Sequence, residues 1–121
     1  MKRAATGSPV VHWEVNGPDG PALHKFYNEL FGWNVDGNNE WNYGLVPSEM
    51  GGIGGGIGQS MDGGGPRTTI YVQVPDPQAT LDAIEKAGGQ TLMPVTEIPG
   101  AATIALFADP DGNVVGLMKG Q

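Results

Sequence analysis

The sequence predicts an α+β fold: two βαβββ modules that together form a cupped mixed β-sheet. Three observations predict it. Two segments, "VVHWEVN" at 10–16 and "TTIYVQV" at 68–74, alternate apolar and polar residues with the period of a half-buried strand. Each leads through an Asp–Pro turn into an apolar stripe of helical spacing. The whole plan recurs about 57 residues later, and such self-similarity marks a duplicated supersecondary unit.

The elements follow in order. In the first strand Val11, Trp13 and Val15 share one face, and His12, Glu14 and Asn16 share the other. Asp19 caps the first helix and Pro21 suits its first turn, where the missing N–H is not needed. Leu23, Phe26, Tyr27 and Leu30 form its apolar stripe, and Gly32 stops it. Strand-like pieces follow in "WNVD", "EWNYGLV" and "GGIGGGIG". In the second half Ile70, Val72 and Val74 share a face, with Thr69, Tyr71 and Gln73 opposite. Asp76 and Pro77 open the second helix, Leu81 and Ile84 lead its stripe, and "AGG" at 87–89 ends it. "QTLMPV", "ATIALFAD" and "NVVGLM" complete the plan. Module one thus covers about 9–59, a linker about 60–66, and module two about 67–119, all within one domain. The apolar face of each leading strand is expected under its own helix, and the polar face toward the cup.

Composition bounds the function. The chain has 121 residues, enough for one domain with a core, and no cysteine, so disulfides and thiolate metal sites are excluded. No apolar run reaches the roughly 20 residues of a membrane span, and "MKRAATGSPVVHW" lacks a hydrophobic signal core. A cytoplasmic protein without a membrane partner is expected. The net charge of −7 disfavours nucleic acid, whose phosphates require Lys and Arg, and suits a cationic ligand better.

Residues 51–65, "GGIGGGIGQSMDGGG", contain nine glycines and raise the question of a phosphate site. The spacing G-x-G-x-x-G is absent, because Ile57 and Gln59 stand where its third glycine would fall. No Gly-Lys-Ser/Thr follows, and no helix opens afterward to offer its N-terminus to a phosphate. The run is expected to close module one as a strand whose missing side chains leave room in the cup or admit another backbone.

The motifs "VHWEV" before "FYNELFGW", then "VPDPQATLDAIEKAGG", then "FADPDGNVVGLM", resemble the vicinal oxygen chelate superfamily over about residues 9–119. That group includes glyoxalase I, bleomycin and fosfomycin resistance proteins, methylmalonyl-CoA epimerase and extradiol dioxygenases. The resemblance implies paired βαβββ modules, a ligand held in the cup, and a homodimer. It also implies a divalent metal held from four strand positions. Carried over one at a time, the first is filled by His12. The second falls in "GGIGGGIG", with Gln59 the nearest side chain able to coordinate. Thr69 stands at the third and Gly116 at the fourth. One imidazole does not hold a divalent ion tightly, so no cofactor is expected. A metal held by His12 and Glu14 is the alternative.

The candidate ligand-binding residues are His12, Glu14, Trp41, Tyr43, Thr69, Tyr71 and Gln73. His12 is readable as a general base, a ligand contact or an ordinary satisfied histidine. Trp41 and Tyr43 share a strand face and could stack on a flat ligand or fill a core or dimer contact. His24 reads as exposed surface, and Asp109 with Asp111 in "ADPDGN" reads as a β-turn. Three functions stay open: a metal-free binder of a small organic molecule like the bleomycin-resistance proteins, a glyoxalase-like lyase, isomerase or dioxygenase with an altered metal site, and an interaction module.

Overall fold

A computed structural model of the chain describes residues 7–35, 43–48, 52–60 and 65–120. The strands are β1 (Val10–Gly17), β2 (Gly44–Val46), β3 (Gly55–Gln59), β4 (Arg67–Val74), β5 (Gln90–Ile98), β6 (Ala102–Ala108) and β7 (Val114–Lys119), and the helices are α1 (Gly20–Phe31) and α2 (Pro77–Lys86). The fold is α+β with mixed strand pairing. The chain divides into two compact units, His12–Thr69 and Met1–Val11 with Ile70–Gln121.

In the unit His12–Thr69, β3 lies between β1 and β2. It runs parallel to β1, with Trp13 opposite Gly55 and Glu14 opposite Gly56, and antiparallel to β2. The parallel pairing requires a crossover, and α1 supplies it. The Asp19 side chain accepts the N–H of Ala22, Pro21 occupies the first turn, and Gly32 ends α1 at φ 70° with its N–H on the Asn28 carbonyl. Val35, Val46 and Ile57 form the buried core, packed by Trp13, Val15, Leu23, Tyr27 and Trp33. The apolar face of β1 therefore meets α1, as alternation predicts.

The segment "WNVD" departs from expectation. Its residues 33–35 are described and form no strand. The Asn28 side chain replaces a strand partner there: its Oδ1 accepts the Val35 N–H at 2.8 Å and its Nδ2 donates to the Val35 carbonyl at 3.0 Å. Both backbone groups are satisfied by the helix, so this residue needs no sheet neighbour.

The orientation of α1 also differs from the sequence stripe. Leu23 and Tyr27 pack inward, but Phe26 and Leu30 are exposed, and His24, expected on the surface, is buried. At about 100° per residue, the face formed by Leu23, His24, Tyr27 and Asn28 is turned by roughly 80° from the stripe. Three polar bonds account for the turn. Two are the Asn28 pair, and the third runs from His24 Nε2 to the Ile57 carbonyl at 2.6 Å. A carbonyl only accepts, so Nε2 carries the proton.

In the other unit the strand order is β4–β7–β6–β5, with β4 parallel to β7 and the remaining pairs antiparallel. Asp76 caps α2 through the Ala79 N–H. Leu81, Val74, Ala105 and Leu117 form the core, with Val72, Ile84, Val95 and Phe107 against it. β5 pairs irregularly with β6 around Pro94, which lies on the outermost strand of that order, where a missing N–H is tolerated. The "ADPDGN" turn is as expected. Asp109 accepts the N–H groups of Asp111 and Asn113 and the Asn113 side-chain amide, which together hold its carboxyl below the usual range. Gly112 supplies the positive φ of 91°.

Replacing His24 by Ala removes its bond to the Ile57 carbonyl and should lower stability in urea unfolding by about 0.5–1.5 kcal/mol. Phe26→Ala, which the sequence stripe makes the costlier change, should cost the monomer less than about 0.5 kcal/mol.

Candidate functional site

The glycines of β3 explain the site. The side chain of Tyr43, immediately before β2, crosses the β3 backbone so closely that a Cβ on Gly56 would fall within bonding range of its hydroxyl and ring. A Cβ on Gly58 would come to 2.6 Å from the same ring. On the opposite face, a Cβ on Gly55 would collide with the Trp13 indole. The missing side chains therefore admit aromatic rings, where the sequence suggested open space or a neighbouring backbone.

Seated there, Tyr43 brings its hydroxyl to 2.8 Å from His12 Nε2. His12, Glu14 and Asn16 share the face of β1 away from α1, and Asn16 Nδ2 donates to Glu14 Oε1 at 2.9 Å. Burial pushes the His12 imidazole below its ordinary pKa, and the Glu14 carboxylate partly opposes that. His12 is therefore neutral at pH 7, with one nitrogen able to accept. The group is a half-buried patch of an imidazole, a phenol, a carboxylate and an amide.

The other candidates lie as follows. Thr69 is 2 % exposed, and its Oγ1 has no hydrogen-bond partner among the described residues. Tyr71 lies over Gly116, its register partner on β7, so closely that a Cβ there would overlap its ring. Gln73 packs its side chain against Gly120, and its N–H donates to the Pro9 carbonyl. Trp41 lies outside the described residues. His12, Glu14, Tyr43 and Thr69 belong to the first unit described above, and Tyr71 and Gln73 to the second. The structure brings His12 and Tyr43 into direct contact. Gln59 is exposed, and its Oε1 lies 3.4 Å from the Gly20 N–H at the start of α1.

Glu14 opposite Gly56 and Tyr71 opposite Gly116 occupy matching places in the two modules. Gly56 is thus the counterpart of Gly116, the position where the resemblance implies a metal-binding carboxylate. At both places a tyrosine ring covers the backbone, and a longer side chain would not fit beside it. No group of three or more His, Cys, Asp or Glu able to hold a metal occurs among the described residues. His12 and Glu14 are the donors on this face, and the donor set does not fit the family's four-ligand metal site.

Residues 10–117 match the Glyoxalase/Bleomycin resistance protein/Dioxygenase superfamily. The chain belongs to this superfamily. It is similar to "Putative glyoxylase CFP32" of Mycobacterium tuberculosis, with 31% identity over 127 residues, 98% of this chain and 48% of that protein. It is also similar to the anthracycline biosynthesis protein DnrV of Streptomyces peucetius, with 28% identity over 136 residues, 98% of this chain and 49% of that protein. The chain spans about half the length of these curated relatives. Among solved structures, methylmalonyl-CoA epimerase from Mycobacterium tuberculosis matches with a TM-score of 0.66 at 12% identity, over 93% of this chain and 87% of that one. A hypothetical protein, BH1468 from Bacillus halodurans, matches at 0.69 and 10% identity, over 94% and 95%. At those identities the likeness shows the fold alone. No helix among the described residues is long and apolar enough to cross a membrane.

Gly56→Ala should push Tyr43 away from His12 and cost about 1–3 kcal/mol through overpacking. With the ring displaced, water reaches the imidazole, so an NMR titration should show the His12 pKa rising toward 6.5. Because the folded-state pKa is depressed, the stability linked to His12 is full above 6.5 and is lost as pH falls through the lower folded value. His12→Gln should remove that part of the acid-side decline in a denaturation series from pH 7.5 to about 5.

Proposed function

We propose that this protein binds a small organic molecule without a catalytic metal, in the manner of the bleomycin-resistance branch of its superfamily. The contact carrying this reading is Tyr43 seated on Gly56 and Gly58 with its hydroxyl on His12. It presents an aromatic ring, a neutral imidazole and the Glu14 carboxylate on one face. A ring and a carboxylate together suit a flat molecule bearing a cationic group, since the π-face and the charge both attract a cation. The relative named for anthracycline biosynthesis supports an extended ring system as the ligand class.

A second reading, a glyoxalase-like enzyme with an altered metal site, draws on the relative named as a glyoxylase and on the pairing of His12 with Glu14. Metal analysis separates the two. Stoichiometric nickel, zinc, manganese or iron in the purified protein, lost in His12→Ala, would overturn the metal-free reading.

A thermal-shift screen of planar aromatic amines should raise the melting temperature, because a ligand that prefers the native state stabilises it. For a hit, Tyr43→Ala and Glu14→Gln should each weaken binding by about tenfold or more, equivalent to about 1.4 kcal/mol. Unchanged affinity in both variants would remove this face as the site.

A further inference from the structure

The face that carries Glu14 and Tyr43 has an apolar edge. In β2, Gly44 and Val46 are buried, and Leu45 between them is 65% exposed. Side chains alternate along a strand, so Leu45 points away from the core that Val46 joins. Register gives its neighbours. Leu45 lies opposite Gly56 on one side of β3, and Glu14 lies opposite Gly56 on the other. Residues opposite one another in a ladder share a face. Leu45, Gly56 and Glu14 therefore form one row across β2, β3 and β1.

A single exposed leucine needs no explanation by itself. The row gives this one a role. Gly56 has no side chain to stand between Leu45 and Glu14, and the hydroxyl end of Tyr43 lies over it. At the far end, Asn16 Nδ2 donates to Glu14 Oε1 and holds the carboxylate in place. The floor of the row is thus an aromatic ring, one end is anionic and the other is aliphatic. Neighbouring strands lie about 4.7–4.9 Å apart, so the backbones of the two ends are separated by roughly 10 Å.

Building on the binding proposed for this face, we infer that Leu45 is a specificity-determining residue: it takes the apolar rim of the ligand while Glu14 takes the cation. The ligand class narrows accordingly. A flat ring system as long as anthracene, with its charge at one end and hydrocarbon at the other, spans the row. A single ring bearing the same charge reaches Glu14 without reaching Leu45. A molecule charged at both ends would set a cation against the leucine, where lost hydration is not replaced.

Isothermal titration calorimetry with three probes tests this: an anthracene carrying one aminomethyl group on a terminal ring, its hydroxymethyl counterpart, and benzylamine. The wild type should bind the aminomethyl anthracene about tenfold or more tightly than benzylamine. Leu45→Ala should cut that preference by about fivefold, because the carbons removed no longer cover the distal ring. Glu14→Gln should instead cut the preference for the aminomethyl over the hydroxymethyl compound. Leu45 is exposed, so Leu45→Ala should keep the wild-type unfolding temperature. Leu45→Met, which restores the apolar volume, should restore the preference. A wild type that binds the aminomethyl anthracene no more tightly than benzylamine overturns the role of Leu45. So does an undiminished preference in Leu45→Ala when Tyr43→Ala and Glu14→Gln weaken binding, and that outcome spares the binding proposed for the face. If Tyr43→Ala and Glu14→Gln have no effect either, the face is not the site and the role of Leu45 falls with it.

Discussion

The close approach of aromatic rings to a glycine backbone is the constraint on which the unit His12–Thr69 depends. Successive residues of β3 face opposite ways, so Gly55 and Ile57 turn to α1 while Gly56 and Gly58 turn away. Trp13 fills the first gap and packs with the core around Ile57, and Tyr43 fills the second. A strand with so few side chains has little of its own to pack and loses more backbone entropy on folding than most. The rings lying on it restore the contact.

That packing also decides the chemistry. A metal site needs several donors converging on one point, and of the four strand positions that the family resemblance assigns to them, one is Gly116, whose counterpart in the first module by register is Gly56. Both are roofed by tyrosine, and the same solution appears in each unit by itself. What remains is a face of intermediate burial that carries an imidazole, a phenol, an amide and one carboxylate. The depressed pKa of His12 belongs to the same picture. Burial disfavours its charge more than Glu14 favours it, so the imidazole beside the Tyr43 phenol favours its neutral form.

The helix α1 links the core to the surface. Its bonds from His24 to Ile57 and from Asn28 to Val35 tie it to β3 and to the chain leaving it. Directional bonds fix rotation about the helix axis in a way that apolar contact does not. Apolar burial is nearly indifferent to which of two neighbouring large residues it covers, while a buried carbonyl without a donor is costly. The polar bonds therefore set the orientation, and Phe26 and Leu30 are left outside.

The sequence by itself determined the duplicated plan, both helix caps, the apolar face of β1, the inward places of Val72 and Val74 on β4 though not of Ile70, which is exposed, the "ADPDGN" turn and the superfamily. These follow from local periodicity, turn chemistry and spacing, which are complete within a few neighbouring residues. It also placed His12, Glu14 and Tyr43 among the candidates and found the family's donors missing at Thr69 and Gly116. Only the tertiary structure decided that Tyr43 lies on Gly56 and Gly58 and reaches His12, since residues 31 apart meet through strand pairing that no local pattern encodes. It likewise decided that His24 is buried and Phe26 exposed. Helical spacing gives the relative angles of side chains around α1, but the rotation of the whole helix is set by the backbone groups of Val35 and Ile57 that it satisfies.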